Sequence, residues 1–247
     1  MLSVSPTTPR VLVCIATYKE RENLEPLVRE ILSVAPQVDI LVTDDNSPDG
    51  TGQIADRLAQ EDPRVHVNHR AGKLGLGTAI LAGLRYAMEH GYDRVVSMDA
   101  DYSHHPRYLP AVIAGLDKHD VMIGSRYIPG GGVANWPLSR QMMSAAINAY
   151  VRLLMRLPAR DTSGGFRGYS VAFLRRVNFK NLISRGYSFQ QEVLLRCRLA
   201  GARIGETPIL FEDRRFGTTK VNPWEMIRSI WAITRIGVAS LFGNVPR

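Results

Sequence analysis

Asp99 and Asp101 stand two residues apart directly after an apolar run, Arg94–Met98. Side chains two apart in extended chain point the same way, so both carboxylates can face one ligand. Hard oxygen donors with open positions suit Mg²⁺ or Mn²⁺, with phosphate oxygens completing the shell. Taken alone, such a pair is a weak signal and more often means one turn-capping Asp and one solvated Asp. Two more polar clusters follow apolar runs in the same manner: Tyr18-Lys19-Glu20 after Arg10–Thr17, and Asp44-Asp45 after Val38–Thr43. Asp44 reads either as a turn former ahead of Asn46-Ser47-Pro48 or as an acceptor for a ribose or base edge. Tyr18 and Glu20 admit the same two readings, and Glu20 also favours a helix start.

Cationic candidates lie mostly later. Arg126, Arg140, Arg167, Arg214 and Lys220 each fall near a loop or turn. Arginine offers a permanently charged fork matched to phosphate. Arg152, Arg156, Arg175 and Arg176 read as solvated surface. Gly72–Gly77 is GxxGxG, not the dinucleotide-binding GxGxxG, and it points to anion binding at a helix start rather than to NAD. His104 and His105 read as hydrogen-bonding props, and Cys14 as a small core residue.

The charge is divided unevenly. Residues 1–120 hold 12 Lys and Arg against 17 Asp and Glu, whereas residues 121–247 hold 19 against 6, within a total of +8. That division suggests a polyanionic ligand held between an acidic and a cationic half. Two cysteines exclude a disulfide framework. No zinc-finger, RNP or helix-turn-helix pattern supports a nucleic-acid partner. The N-terminal residues lack the basic start and apolar stretch of a signal peptide. No run of about 18 apolar residues is present to span a bilayer. A cytoplasmic location is the expectation.

The elements that must position these groups alternate strand and helix. Strands are expected at Arg10–Thr17, Val38–Thr43, Val65–Asn68 and Arg94–Met98. The helices between them include one from Asn23 to Val34 with Leu24, Leu27, Val28, Ile31 and Leu32 on one face. Such a chain builds a mostly parallel sheet flanked by helices, an α/β fold whose ligands bind at the carboxyl ends of the strands. Further expectations are a strand at Asp120–Ser125, a Gly-rich loop at Pro129–Gly132 and a helix at about Arg140–Leu157. Asp161–Arg167 reads as a loop, Tyr187–Gly201 as a helix, Ile204–Phe211 as a strand and Asp213–Lys220 as a basic loop. A helix begins at Pro223, with Trp224, Ile227, Trp231, Thr234, Val238 and Leu241 spaced for one face. No repeat or linker interrupts the chain, so one domain over residues 1–247 is expected, with residues 223–247 a C-terminal amphipathic helix.

ATYKERENL, DDNSPDGT, GKLGLGTA and MDADYSHHP resemble glycosyltransferase family 2, and within it the dolichyl-phosphate (polyprenyl-phosphate) mannosyltransferase group. GSRY, DTSGGFRGY, GYSFQQE and DRRFGTTK carry the likeness from about Val11 to Lys220. The resemblance implies a GT-A fold, GDP-mannose as donor, Mg²⁺ or Mn²⁺, and a polyprenyl monophosphate as acceptor. By the same resemblance Ala16, Tyr18 and Glu20 form the first donor-binding loop, and Val42 and Asp44 contact base and ribose. Asp99, Ala100 and Asp101 form the metal-diphosphate motif. Arg126, Arg214 and Lys220 grip donor or acceptor phosphate, with Arg140 a weaker match of that kind. UDP-glucose or another sugar nucleotide is the alternative donor. The chain departs from the group at Lys19, where asparagine is usual, at Ala16, where proline is usual, and at Ser103, where some relatives carry glutamine.

This chemistry needs no catalytic base. A lipid monophosphate is ionised near neutral pH, its second pKa being about 6, and can attack the anomeric carbon directly with inversion. The obstacle is repulsion between two anions, which a metal and fixed arginines would offset. Asp101, Arg126 and Arg140 are therefore the expected catalytic residues, and Glu192 is expected to shape the site or its acceptor side. The Arg140 and Pro223 helices read equally as core-packing helices or as an interfacial surface, with Arg228 and Arg235 toward anionic headgroups. The expected location is peripheral, on the cytoplasmic membrane face. Many relatives carry transmembrane helices, and tethering by a separate membrane-anchoring subunit is an option.

Overall fold

The computed structural model describes residues 8–180, 182, 184, 186, 188–213 and 223–242, with the backbone alone described for 223–227. The apolar runs become the central strands β1 (Val11–Thr17), β2 (Val38–Asp44), β3 (Val65–His69) and β4 (Arg94–Asp99). Their burial on both faces explains why they read as continuous rather than alternating apolar sequence. Between them run α1 (Arg21–Val34), α2 (Thr51–Glu61) and α3 (Leu76–Glu89). Leu24, Leu27, Val28 and Ile31 of α1 are wholly buried, each side chain contributing about 1.5–3 kcal/mol of transfer free energy.

A 3-10 turn (Pro106–Tyr108) leads into α4 (Leu109–Gly115) and β5 (Val121–Ser125). Then come β6 (Gly132–Val133), α5 (Leu138–Leu154), β7 (Arg167–Ser170), α6 (Val171–Leu174) and α7 (Phe189–Leu199). The chain continues through β8 (Ile204–Pro208), β9 (Leu210–Phe211) and α8 (Pro223–Leu241). Seven strands form one sheet in the order β3-β2-β1-β4-β7-β5-β8. Its described pairings are parallel except those of β7, which runs antiparallel to both β4 and β5.

Three expectations change. Ile204–Phe211 is two strands, because Ile209 leaves the sheet and β9 pairs with β6 as a separate ribbon. The expected loop Asp161–Arg167 ends inside β7, where Arg167 pairs with Ser97 and Ile123. The α8 spacing marks the outer face: Trp231 is 62% exposed, and Val238 and Leu241 are also exposed, while Ile233 and Ile236 are buried. Gly237 sits against Leu154 of α5, where an added Cβ would lie 2.5 Å from Leu154 Cγ.

Candidate active site

Sheet register gathers the acidic strand ends. β1 lies between β2 and β4, pairing Thr17 with Asp44 and Ala16 with Asp99. Beside this edge opens a cleft of about 340 Å³. Asp99, Asp101, Ser103 and His104 line it from the β4 turn, with Arg126 after β5 and Ser163, Gly164 and Gly165 before β7. Leu76, Gly77 and Ile80 of α3 and Phe189, Gln190 and Gln191 of α7 form another wall. Met143 and Ile147 of α5 with Ile230 and Ile233 of α8 make an apolar side.

The β4 turn is tightly built. Asp101 Oδ1 accepts from the Ser103 backbone N–H at 3.1 Å and from the Ser103 hydroxyl at 2.6 Å. Ser103 thus orients Asp101 in the way an outer-shell partner orients a metal ligand. His104 Nδ1 accepts from the Asp99 backbone N–H at 3.0 Å, and its ring stacks on Phe166. His105 accepts from the Arg107 N–H. Both histidines are props, as expected. Gly165 lies so close that a Cβ would stand 3.2 Å from Asp99 Oδ1, so only a residue without a side chain fits beside that carboxylate without displacing it. Two oxygen-donor side chains beside an open cleft fit a hard divalent cation that takes its remaining ligands from phosphate. Among the described residues no group of three or more His, Cys, Asp or Glu side chains is gathered to hold a metal alone.

Arg126 is not a free phosphate grip. Its Nε and Nη2 form a fork on Asp161 at 2.7 and 2.8 Å, and its backbone N–H also donates to Asp161. Arg126 Nη2 also reaches the Ser163 hydroxyl at 2.8 Å. The side chains are 8% and 0% exposed. Burial opposes both charges, yet the mutual hydrogen bonds and attraction win. Asp161 is held below the ordinary carboxylate range and Arg126 above its usual value. The guanidinium therefore stays charged in the cleft wall, fixed in direction. Asn148 of α5 accepts from Thr162 and donates to Ser163 at 3.2 Å, so the same turn is tied to the apolar side. Arg140 also lines the cleft, lying 3.8 Å over the Trp136 ring and pairing with Asp213 at 3.1 Å.

The remaining expected residues lie elsewhere. Val42 and Ala100 are core residues with buried side chains, so neither offers a side-chain contact to a nucleoside. Asp44 is 1% exposed and accepts from Thr17 and Ser47, which locks the β1 and β2 ends together. Asp45 accepts from the Leu74 and Gly75 N–H groups and pairs with Arg70 at 2.7 Å, anchoring the Gly72–Gly77 loop. Tyr18 carries the Lys73 ammonium 4.4 Å from its ring centre. Glu20 accepts from the Asn23 side-chain amide at 2.7 Å. Ala16, Tyr18 and Glu20 sit at the β1 end but do not line the cleft.

Arg167, read as a loop arginine suited to phosphate, is wholly buried and donates to the Thr162 and Gln190 carbonyls. Glu192 does not line the cleft. It pairs with Arg196 and accepts from the Ser184 N–H, which ties Ser184 to α7. Arg214 and Lys220 lie outside the described residues. Sequence reasoning missed Asp161, Asn148, Trp136 and Asp213, for which only the DTSGG turn gave a local signal. Cys14 and Cys197 are buried, and burial pushes both thiols up, Cys197 to about 12, so neither is a nucleophile.

A twisted sheet with its one reversed strand, and acidic strand ends opening on a cleft, is the architecture of GT-A glycosyltransferases. Mannosyl-3-phosphoglycerate synthase from Rubrobacter xylanophilus superposes with a TM-score of 0.68 at 16% identity, covering 97% of this chain and 77% of that one. Glucosyl-3-phosphoglycerate synthase from Mycobacterium tuberculosis, in complex with Mn²⁺, UDP and phosphoglyceric acid, gives 0.64 at 18% identity, covering 97% and 80%. The family model of Glycosyl transferase family 2 matches residues 12–182, and the chain belongs to that family of enzymes. It is 43% identical over 231 residues to the undecaprenyl-phosphate mannosyltransferase of Micrococcus luteus, across 94% of this chain and 95% of that protein. It is 42% identical over 233 residues to the polyprenol monophosphomannose synthase of Mycolicibacterium smegmatis, across 94% and 88%.

Proposed function

We propose that the chain acts as one catalytic domain. It transfers mannose with inversion from GDP-mannose to a polyprenyl monophosphate, assisted by Mg²⁺ or Mn²⁺. The observation that carries this reading is the 42–43% identity, over 94% of the chain, to an undecaprenyl-phosphate mannosyltransferase and a polyprenol monophosphomannose synthase. The cleft supports it, because one opening joins the Asp99–Asp101 turn to an apolar side made by α5 and α8. A lipid phosphate needs both environments within a few ångströms of each other.

In this reading Asp99 and Asp101 hold the cation, with Ser103 fixing Asp101. The cation supplies Lewis-acid stabilisation of the donor diphosphate. Arg126, pinned by Asp161, turns the positive end of a fixed ion pair to the cleft where two anions must approach. Arg140, Arg214 and Lys220 are the further cationic groups assigned to phosphate, and Ala16, Tyr18, Glu20 and Asp44, around the β1 and β2 ends, are assigned to the nucleoside side. The ionised acceptor phosphate is the nucleophile, so no side chain acts as base.

The outer faces of α5 and α8 support a peripheral membrane location. Leu138, Met142, Leu153, Trp231 and Phe242 are between 62% and 78% exposed, and Arg152 and Arg235 accompany them. No helix among the described residues is long and apolar enough to cross a membrane.

The test is transfer from labelled GDP-mannose to undecaprenyl or dolichyl phosphate, with and without Mg²⁺ or Mn²⁺, in competition with UDP-glucose. Asp101→Asn is expected to abolish transfer while leaving the circular dichroism spectrum unchanged. Near-normal turnover by that variant would sink the metal assignment, and preferential use of UDP-glucose would overturn the donor.

A further inference from the structure

Gln190 is the second residue of α7 and lines the cleft. It is 5% exposed, and among the described residues neither Oε1 nor Nε2 of its carboxamide has a hydrogen-bond partner. Leaving a buried amide in that condition costs stability, and folded proteins rarely do so without a functional reason.

The surrounding backbone is built with care. Arg167, wholly buried, donates from Nη1 to the Gln190 carbonyl at 2.6 Å and from Nη2 to the Thr162 carbonyl at 2.7 Å. The neighbouring Phe189 is seated on Gly77 of α3, where a Cβ would lie 2.7 Å from the ring. Gln190 is thus bolted at its main chain to the DTSGG turn, while the adjacent residue locks α7 onto α3. Such fixing is what a recognition residue requires. Only the side chain is left without a partner among the described residues.

The chemistry of the carboxamide narrows the ligand. It presents two N–H donors and one carbonyl acceptor. An ionised phosphate oxygen only accepts, and a lipid chain does neither. A sugar hydroxyl does both. We propose that Gln190 determines sugar specificity by hydrogen-bonding a hydroxyl of the hexose being transferred. This rests on the glycosyl-transfer reading of the cleft and names the part of the substrate that Gln190 reads.

The test replaces Gln190 by methionine, similar in length and without polar groups. Transfer rates would be measured with the accepted sugar nucleotide and with its deoxy analogues, each lacking one ring hydroxyl. Wild-type enzyme is expected to reject one analogue by about 10²-fold or more in kcat/KM. Gln190→Met should lose a similar factor on the complete donor and little on that analogue, so the discrimination collapses toward unity. The melting temperature of the ligand-free variant should be unchanged or higher, since an unpaired amide has been removed.

Full discrimination retained by Gln190→Met would overturn the proposal, as would an effect confined to the acceptor KM. If wild-type enzyme uses a sugar nucleotide other than GDP-mannose, the proposed donor fails. The deoxy series of the sugar it does use then decides the role of Gln190.

Discussion

Asp161→Ala is the sharpest perturbation available to this site. The substitution removes a carboxylate with 0% exposure that accepts three hydrogen bonds from Arg126 and further ones from the Ser163 and Gly164 N–H groups. The guanidinium would stay in place, 8% exposed, with the Ser163 hydroxyl still beside it. Breaking a buried pair from one side costs about 3–5 kcal/mol, because the surviving charge is left desolvated. For a chain of this size each kcal/mol moves the melting temperature by roughly 2–4 °C, so the expected fall is about 6–20 °C. Urea unfolding followed by circular dichroism would measure the loss, with an unchanged m-value confirming that stability alone has moved. The decisive arm is the double-mutant cycle with Arg126→Met. If the pair acts as argued, the double variant falls short of the sum of the singles by about 2 kcal/mol or more. Additivity within about 0.5 kcal/mol would show that the two charges do not depend on each other, and so would a loss below about 1 kcal/mol for Asp161→Ala.

The same pair sets an acid limit. Although burial opposes it, Asp161 is held below the ordinary carboxylate range by Arg126, so its folded pKa lies under its unfolded one. Its contribution is complete above about pH 5 and is lost as the pH falls through the depressed value. Wild-type protein should therefore lose more stability than Asp161→Asn between about pH 5 and pH 3 in acid unfolding. Lys19 has φ of 64°, a conformation that costs most residues about 1–2 kcal/mol and that, glycine aside, asparagine tolerates better than most. Lys19→Asn should stabilise by roughly 0.5–1 kcal/mol, and a lower melting temperature would count against strain there. Gly77→Ala would place a Cβ 2.7–2.8 Å from three Phe189 atoms. The overpacking should destabilise by about 1–3 kcal/mol and depress transfer, because both residues line the cleft; a variant with wild-type stability would show that α7 can yield.

Much of the architecture was legible in order along the chain. Continuous apolar runs mark β1, β2 and β4, since strands buried on both faces cannot alternate. The residues after them are polar because they lie at the carboxyl edge of the sheet, so Asp99, Asp101 and Asp44 stood out together, although of the three only Asp99 and Asp101 line the cleft. The α1 face was readable from its 3.6-residue spacing. The ribbon of β6 and β9 was not, because a two-residue strand has no periodicity and exists only by pairing residues 78 positions apart, Gly132 with Leu210.

Side-chain partners were harder to see than elements. Local sequence marks Arg126 and Arg167 equally, as arginines near turns, and nothing in their neighbours separates them. The fold does: β7 inserts antiparallel between β4 and β5 and carries Arg167 into the interior, while the DTSGG turn brings Asp161 against Arg126 from 35 residues away. The α8 pattern likewise announced an amphipathic helix without saying which side α5 would cover.

Composition and spacing by themselves determined that this chain forms a helix-flanked parallel sheet with acidic strand ends and a cationic second half. Those properties belong to short segments, where burial and backbone geometry act within a few residues. Only the tertiary structure decided which arginine keeps its charge in the cleft, which becomes a strut, and that Gln190 is left with an unpaired amide. Such outcomes depend on desolvation and hydrogen-bond partners supplied by distant parts of the chain, and no local pattern encodes them.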